Sequence, residues 1–169
     1  DLSSKLISII KDKNFSLKDC KLSGHAFLHS PIADFARMVY EGKLVVESGS
    51  FSSEEPVKSE GRIEKSTIDF SGDTKSVKWT SNLNLSDSRI EKNAIKAYHI
   101  NAEAKVLSSF AFNPEANLNP YFEGEVKIKG AEVSGVPRIG SISEITSTLK
   151  FKDSNIVIED LLAKLLDTH

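Results

Sequence analysis

Cysteine is almost missing from this sequence: Cys20 is the only one in 169 residues. A lone thiol forms no internal disulfide, so the fold is not disulfide-built, and one cysteine suits the cytosol and a Gram-negative periplasm equally. Long apolar runs are missing too. None approaches the ~18–20 residues of a membrane helix, and no signal-peptide pattern opens the chain. Neither sign of charge dominates. Lys plus Arg number 22 against 24 Asp plus Glu, for a net charge of -2, so no basic field invites nucleic acid or anionic head groups. Aromatic residues are 8% and hydrophobic residues 39%, the latter under the roughly 45–50% of ordinary globular domains. This is too apolar for disorder and lean for a compact enzyme with both sheet faces covered. The chain opens at Asp1 without an initiator Met and stops at His169 in mid-pattern. It reads as a piece of a longer protein.

Catalytic constellations are missing as well. His25 and His29 stand four apart, but Ser23-Gly24-His25-Ala26-Phe27-Leu28 reads as a strand, and no carboxylate or cysteine sits at ligand spacing. Gly49-Ser50-Phe51-Ser52-Ser53 lacks the nucleophile-elbow spacing. Val133-Ser134-Gly135-Val136-Pro137 is a turn rather than a phosphate loop. The sequence predicts no enzyme, no metal and no cofactor. Lys96, Lys105, Lys127 and Lys129 form basic stripes interleaved with Glu103, Glu123 and Glu125. Such mixed rows read as a solvated face or a defended sheet edge.

What is present is alternation. After a short amphipathic helix expected over 1–13 (Leu2, Leu6, Ile9 and Ile10 at helical spacing), nearly every segment alternates with period two. Leu22, Gly24, Ala26 and Leu28 share a side. Val77, Trp79, Leu83 and Leu85 oppose Lys78, Thr80, Asn82 and Asn84. Tyr98, Ile100, Ala102, Ala104 and Val106 oppose Asn101, Glu103 and Lys105. Phe122, Gly124, Val126 and Ile128 oppose Glu123, Glu125, Lys127 and Lys129. Strands with one dry and one wet face pair antiparallel. Turns are expected at Ser48-Gly49-Ser50, Ser71-Gly72-Asp73, Asn113-Pro114, Asn119-Pro120, Ser134-Gly135 and Asp153-Ser154. Leu149 and Phe151 before the last of these, with Ile156 and Ile158 after it, predict a hairpin. The tail from Glu159 to Leu166 fits a helical turn or a strand. Glu41-Gly42-Lys43-Leu44-Val45-Val46 echoes Glu123-Gly124-Glu125-Val126-Lys127-Ile128, a weak internal repeat.

The dry faces must be hidden, and one or two short helices cannot cover so many strands. Two solutions remain. One is a self-contained β-sandwich or barrel acting as a binding or adhesion module. The other is a curled antiparallel sheet with an open groove whose apolar lining meets acyl chains.

The run from Pro120 to Pro137 resembles the "G-x-V-x-L-x-x-A-x-V-x-G-x-P" pattern of AsmA-like envelope proteins, the TamB/YhdP-type bridge-like lipid transfer proteins. Ile142, Ile145, Leu149, Phe151, Asp153, Ile156, Ile158 and Leu161-Leu162-Ala163 continue it in the manner of that group's "I-x-x-I-x-x-x-L-x-F-x-D-x-x-I-x-I-x-x-L-x-A". Gly42 to Gly72 is similar to a preceding copy. The resemblance implies a single taco-like β-groove segment over 1–169. It implies phospholipid transport between inner and outer membrane, in the periplasm of a Gram-negative bacterium, by a parent protein anchored in the inner membrane. It supplies no catalytic residue. The residues expected to line the lipid groove are Val77, Trp79, Leu83, Leu85, Tyr98, Ile100, Ala102, Val106, Phe122, Val126, Ile128, Leu149 and Phe151. The partners expected are phospholipid acyl chains, with no nucleic acid.

Overall fold

The computed structural model describes residues 15–31, 35–112 and 121–166. Nine strands follow one another: β1 (Phe15–His29), β2 (Val39–Ser53), β3 (Lys58–Ile63), β4 (Ser66–Asp73), β5 (Ser76–Lys92), β6 (Ile95–Ala111), β7 (Tyr121–Val136), β8 (Gly140–Lys152) and β9 (Asn155–Leu166). All belong to one curled antiparallel sheet. β3 and β4 lie end to end between β2 and β5, so they form one broken track. Every other connection joins sheet neighbours, giving an up-and-down meander of eight tracks from β1 to β9. β1 and β9 do not pair with each other, so among the described residues the sheet is open. It is also the only sheet there, which leaves the self-contained sandwich without its second layer.

Local chemistry explains the reversals. The β5–β6 and β8–β9 hairpins close on Lys92↔Ile95 and Lys152↔Asn155. Each begins its two-residue turn with a residue in the left-handed region, Asn93 (φ 58) and Asp153 (φ 51), which Asn and Asp tolerate best after glycine. Between β4 and β5, one Asp73 carboxylate oxygen accepts the backbone N–H groups of Lys75 (2.7 Å) and Ser76 (2.8 Å), fixing the turn.

The long strands are not regular. Asp19 in β1, Asp87 in β5, His99 in β6, Glu144 in β8 and Asp160 in β9 all have φ between 46 and 53. The strand pairing slips at or beside each of them. β7 slips between Ile128↔Ala102 and Gly130↔Asn101, and β2 slips at Ser48, opposite Lys21. These β-bulges form a belt across the middle of the sheet. A bulge bends its strand and increases the local twist, so a belt of them curls a wide open sheet. Each also moves the inward-facing positions from one parity to the other. In β7 the face carrying Val126 and Ile128 continues as Ala131 and Val133. The doubled spacers in the sequence pattern are these bulges.

Several expectations change on this fold. Ser48-Gly49-Ser50 is not a turn but lies inside β2. A Cβ at Gly49 would meet Cys20 Sγ on the neighbouring strand. The tail from Glu159 is strand, not helix. A 3-10 turn at Phe35–Arg37 is the only helical element among the described residues. The helix expected over 1–13 and the turns at Asn113-Pro114 and Asn119-Pro120 lie outside them. The hairpin at Asp153-Ser154 forms as expected.

Candidate functional site: an uncovered apolar face

Residues directly opposite in a sheet share a face, and alternate residues along a strand share it too. Following the register from strand to strand assigns each described strand residue to one of two faces. One row runs through Gly24, Leu44, Ile68, Ser81, Val106, Gly124, Phe151 and Ile156, crossing all eight tracks. At about 4.8 Å per strand its arc is roughly 34 Å. Flanking rows carry Ala26, Gly42, Phe70, Trp79, Ser108 and Phe122 on one side, and Leu83, Ala104, Val126, Leu149 and Ile158 on the other. Apart from Lys92 at the tip of the β5–β6 hairpin, no charged side chain of the described strands stands on this face.

Nothing of the described chain covers it. Among the described residues, Ala102 and Ala131 are the only apolar ones that are buried. The other buried positions are serines: Ser66, Ser81, Ser88, Ser108 and Ser147 on this face, with Ser143 beside the bulge at Glu144. Small residues with no layer above them are shielded by their larger neighbours, which fold down over the sheet. The Phe151 ring lies over Gly124, where a Cβ would come within 2.7 Å of its Cζ. Phe51 covers Gly61 in the same way, at 2.9 Å, and Phe70 covers Gly42.

The serines do not make the floor polar. Ser108 Oγ donates to the Tyr121 carbonyl at 2.8 Å, Ser66 to that of Glu64 at 2.9 Å, and Ser147 to that of Glu159 at 3.3 Å. Glu64 lies at the β3–β4 break and Glu159 at the β9 bulge. These hydroxyls therefore satisfy carbonyls that an irregular ladder would leave unpaired. Tyr40, also on this face, has its pKa pushed up by burial and by nearby Asp73, so its hydroxyl stays neutral.

The opposite face carries the charge. Lys43 pairs with Asp69 at 3.2 Å, Lys127 with Glu125 at 3.0 Å, and Lys150 with Glu159 at 2.8 Å. Lys129 pairs with Glu103. This face carries a shallow trough of about 520 Å³ lined by His25, Phe27, Glu41, Lys43, Asp69 and Lys78, among others. Its charges are of mixed sign, and Lys43 and Asp69 already neutralise each other. Among the described residues, no three His, Cys, Asp or Glu side chains converge as metal ligands.

No family model, curated protein or solved structure matches this chain.

Of the thirteen residues expected to line a groove, the structure brings twelve to the apolar face: Val77, Trp79, Leu83, Leu85, Ile100, Ala102, Val106, Phe122, Val126, Ile128, Leu149 and Phe151. Tyr98 is the correction. The bulge at His99 places it on the polar face opposite Glu132. There the Arg89 guanidinium lies 5.0 Å from its ring centroid and reaches both Glu60 and Glu91. Sequence reasoning left out Tyr40, Leu44, Ile68 and Phe70, which complete the face on β2 and β4. Their own alternation was the available signal. It was obscured because β3 and β4 are short and interrupted.

Proposed function

We propose that the apolar face carries phospholipid acyl chains, so that the chain serves as a segment of a β-groove for lipid transport between inner and outer membrane. This role would support outer-membrane assembly and integrity. The observation that carries the reading is the apolar face, which bears no charge but Lys92 at one hairpin tip, crosses all eight tracks and is uncovered by the described chain. An apolar surface of this extent marks an interaction site. Each methylene laid against it contributes about 0.8 kcal/mol with no directional contact, so acyl chains are held yet free to slide. Ser66, Ser88, Ser108 and Ser147 offer little to a head group, because each donates its hydroxyl to a backbone carbonyl. The resemblance to AsmA-like envelope proteins points the same way and supplies the periplasmic setting and the membrane-anchored parent.

The test compares two neighbours on β6. Ile100→Asp puts a charge on the apolar face, where it has no partner and is costly to desolvate. Tyr98→Asp puts the same charge on the polar face. Native mass spectrometry after incubation with phosphatidylethanolamine–phosphatidylglycerol vesicles reads the bound lipid, and circular dichroism checks the fold. Ile100→Asp should lose bound lipid while Tyr98→Asp keeps it. Equal lipid binding by both folded variants would sink the proposal.

A further inference from the structure

The hairpin tips along the two rims of the sheet differ in chemistry. On the rim that holds the β4–β5 and β8–β9 turns, the tips are Asp73-Thr74-Lys75 and Lys152-Asp153-Ser154, polar and of mixed sign. On the other rim the β5–β6 and β7–β8 tips stand side by side, since Lys96 pairs with Ser134 and Gly135 packs against the Ala94 carbonyl. These two tips are apolar and cationic. Ile95 and Ile139 are both 46% exposed, and Ile139 stands in the turn itself. Lys92 and Arg138 are exposed beside them, and neither turn contains a carboxylate. Glu91, next to Lys92, is engaged by Arg89. The β2–β3 turn, with Glu54 and Glu55, bounds this surface on one side.

We infer that this pair of tips docks on the surface of a bilayer that contains anionic phospholipid. The charge of the chain is balanced overall, so the attraction is local. Lys92 and Arg138 face the anionic head groups, and the isoleucines enter the layer beneath them. Projecting turns without an aromatic anchor fit a soft lipid surface better than a pocket on a protein. The choice of a bilayer rests on the lipid reading of the apolar face. Ile90 and Ile95 stand on that face, where it reaches the β5–β6 tip. Tips seated in a bilayer therefore bring the start of the apolar face to the acyl chains, which enter it without crossing water.

Flotation of the purified chain with phosphatidylcholine vesicles, with and without an equal share of phosphatidylglycerol, tests this. The chain should float with the anionic vesicles and be released by salt. Lys92→Glu with Arg138→Glu should weaken binding by roughly tenfold or more. Lys75→Glu with Lys152→Glu, on the opposite rim, changes the net charge equally and should weaken it far less. In a Cys20→Ser background, an environment-sensitive dye on Ile139→Cys should shift to the blue with anionic vesicles, and the same dye on Ser154→Cys should not. Circular dichroism checks each fold. No flotation with anionic vesicles, equal losses from the two pairs of reversals, or equal dye shifts at the two rims would each overturn the proposal. If the chain does not float yet carries lipid in native mass spectrometry, the docking surface fails while the lipid reading stands, and an acidic protein becomes the candidate for the tips. Flotation of a chain that carries no lipid would support the docking surface and sink the carriage of acyl chains.

Discussion

On the polar face, amines and carboxylates alternate across the strands and neutralise one another in pairs that water surrounds. On the apolar face, rings lie flat over glycines and serines turn their hydroxyls into the backbone. The same strands build both, one residue apart. The two surfaces differ in what holds them. Exposed ion pairs contribute little to stability and are screened by salt, so the polar face tolerates change. The apolar face depends on shape, because its small residues sit beneath larger ones with no room above, so a change of one or two methyl groups is felt there.

Two glycines six residues apart on β7 put this contrast to the test. Gly124 stands on the apolar face, where a Cβ would crowd the Phe151 ring and the Lys105 carbonyl. Gly124→Val should lower stability by about 1–3 kcal/mol through overpacking, read as a drop in the urea midpoint. Phe151→Leu in the same chain should recover part of the loss. Gly130 stands on the polar face opposite Asn101, with nothing within 4 Å of where a Cβ would be. Gly130→Ala should raise stability by about 0.4–1 kcal/mol, because it restricts the unfolded chain without strain in the folded one. If both substitutions destabilise alike, the faces do not differ in packing as described.

That contrast was legible in the sequence wherever alternation ran unbroken. Val77 to Leu85 and Phe122 to Ile128 show their two faces without a structure, and the antiparallel class follows from them. What could not be read was the point at which each strand changes parity. Tyr98, Ile100 and Ala102 look equivalent in the sequence, yet the left-handed residue at His99 sends Tyr98 to the polar face. A positive φ at Asp, Glu or His leaves no clear mark in the sequence, since such residues are common on any solvated strand. The spacing of the apolar residues does carry a mark: Ile128 to Ala131, and Ile158 to Leu161, are three apart where two is the rule. Openness was not legible either. Whether the last strand returns to the first depends on accumulated twist and curl, which no single segment records.

The smallest expected effect separates two kinds of carboxylate on the polar side. Asp73 is held below the usual aspartate range chiefly by the backbone N–H groups of Lys75 and Ser76. Glu125 is held below the usual glutamate range chiefly by its hydrogen bond with the Lys127 ammonium. A folded-state pKa below the unfolded value contributes stability that is fully present above the unfolded pKa and is lost as pH falls through the folded one. Acid should therefore weaken the protein only below the ordinary carboxylate range, and Asp73→Asn should flatten that part of the profile. Salt distinguishes the two. At roughly 1 M salt the screening length is about 3 Å, so Glu125, tied to an exposed side chain, should move back toward its ordinary value. Asp73, tied to amides fixed in the turn, should stay low. Carboxyl chemical shifts followed through an acid titration at low and high salt measure both groups in one sample. A parallel shift of the two would mean that the net field of the polar face, rather than local geometry, sets its charges. The polar surface would then be coupled as a whole rather than held in separate pairs.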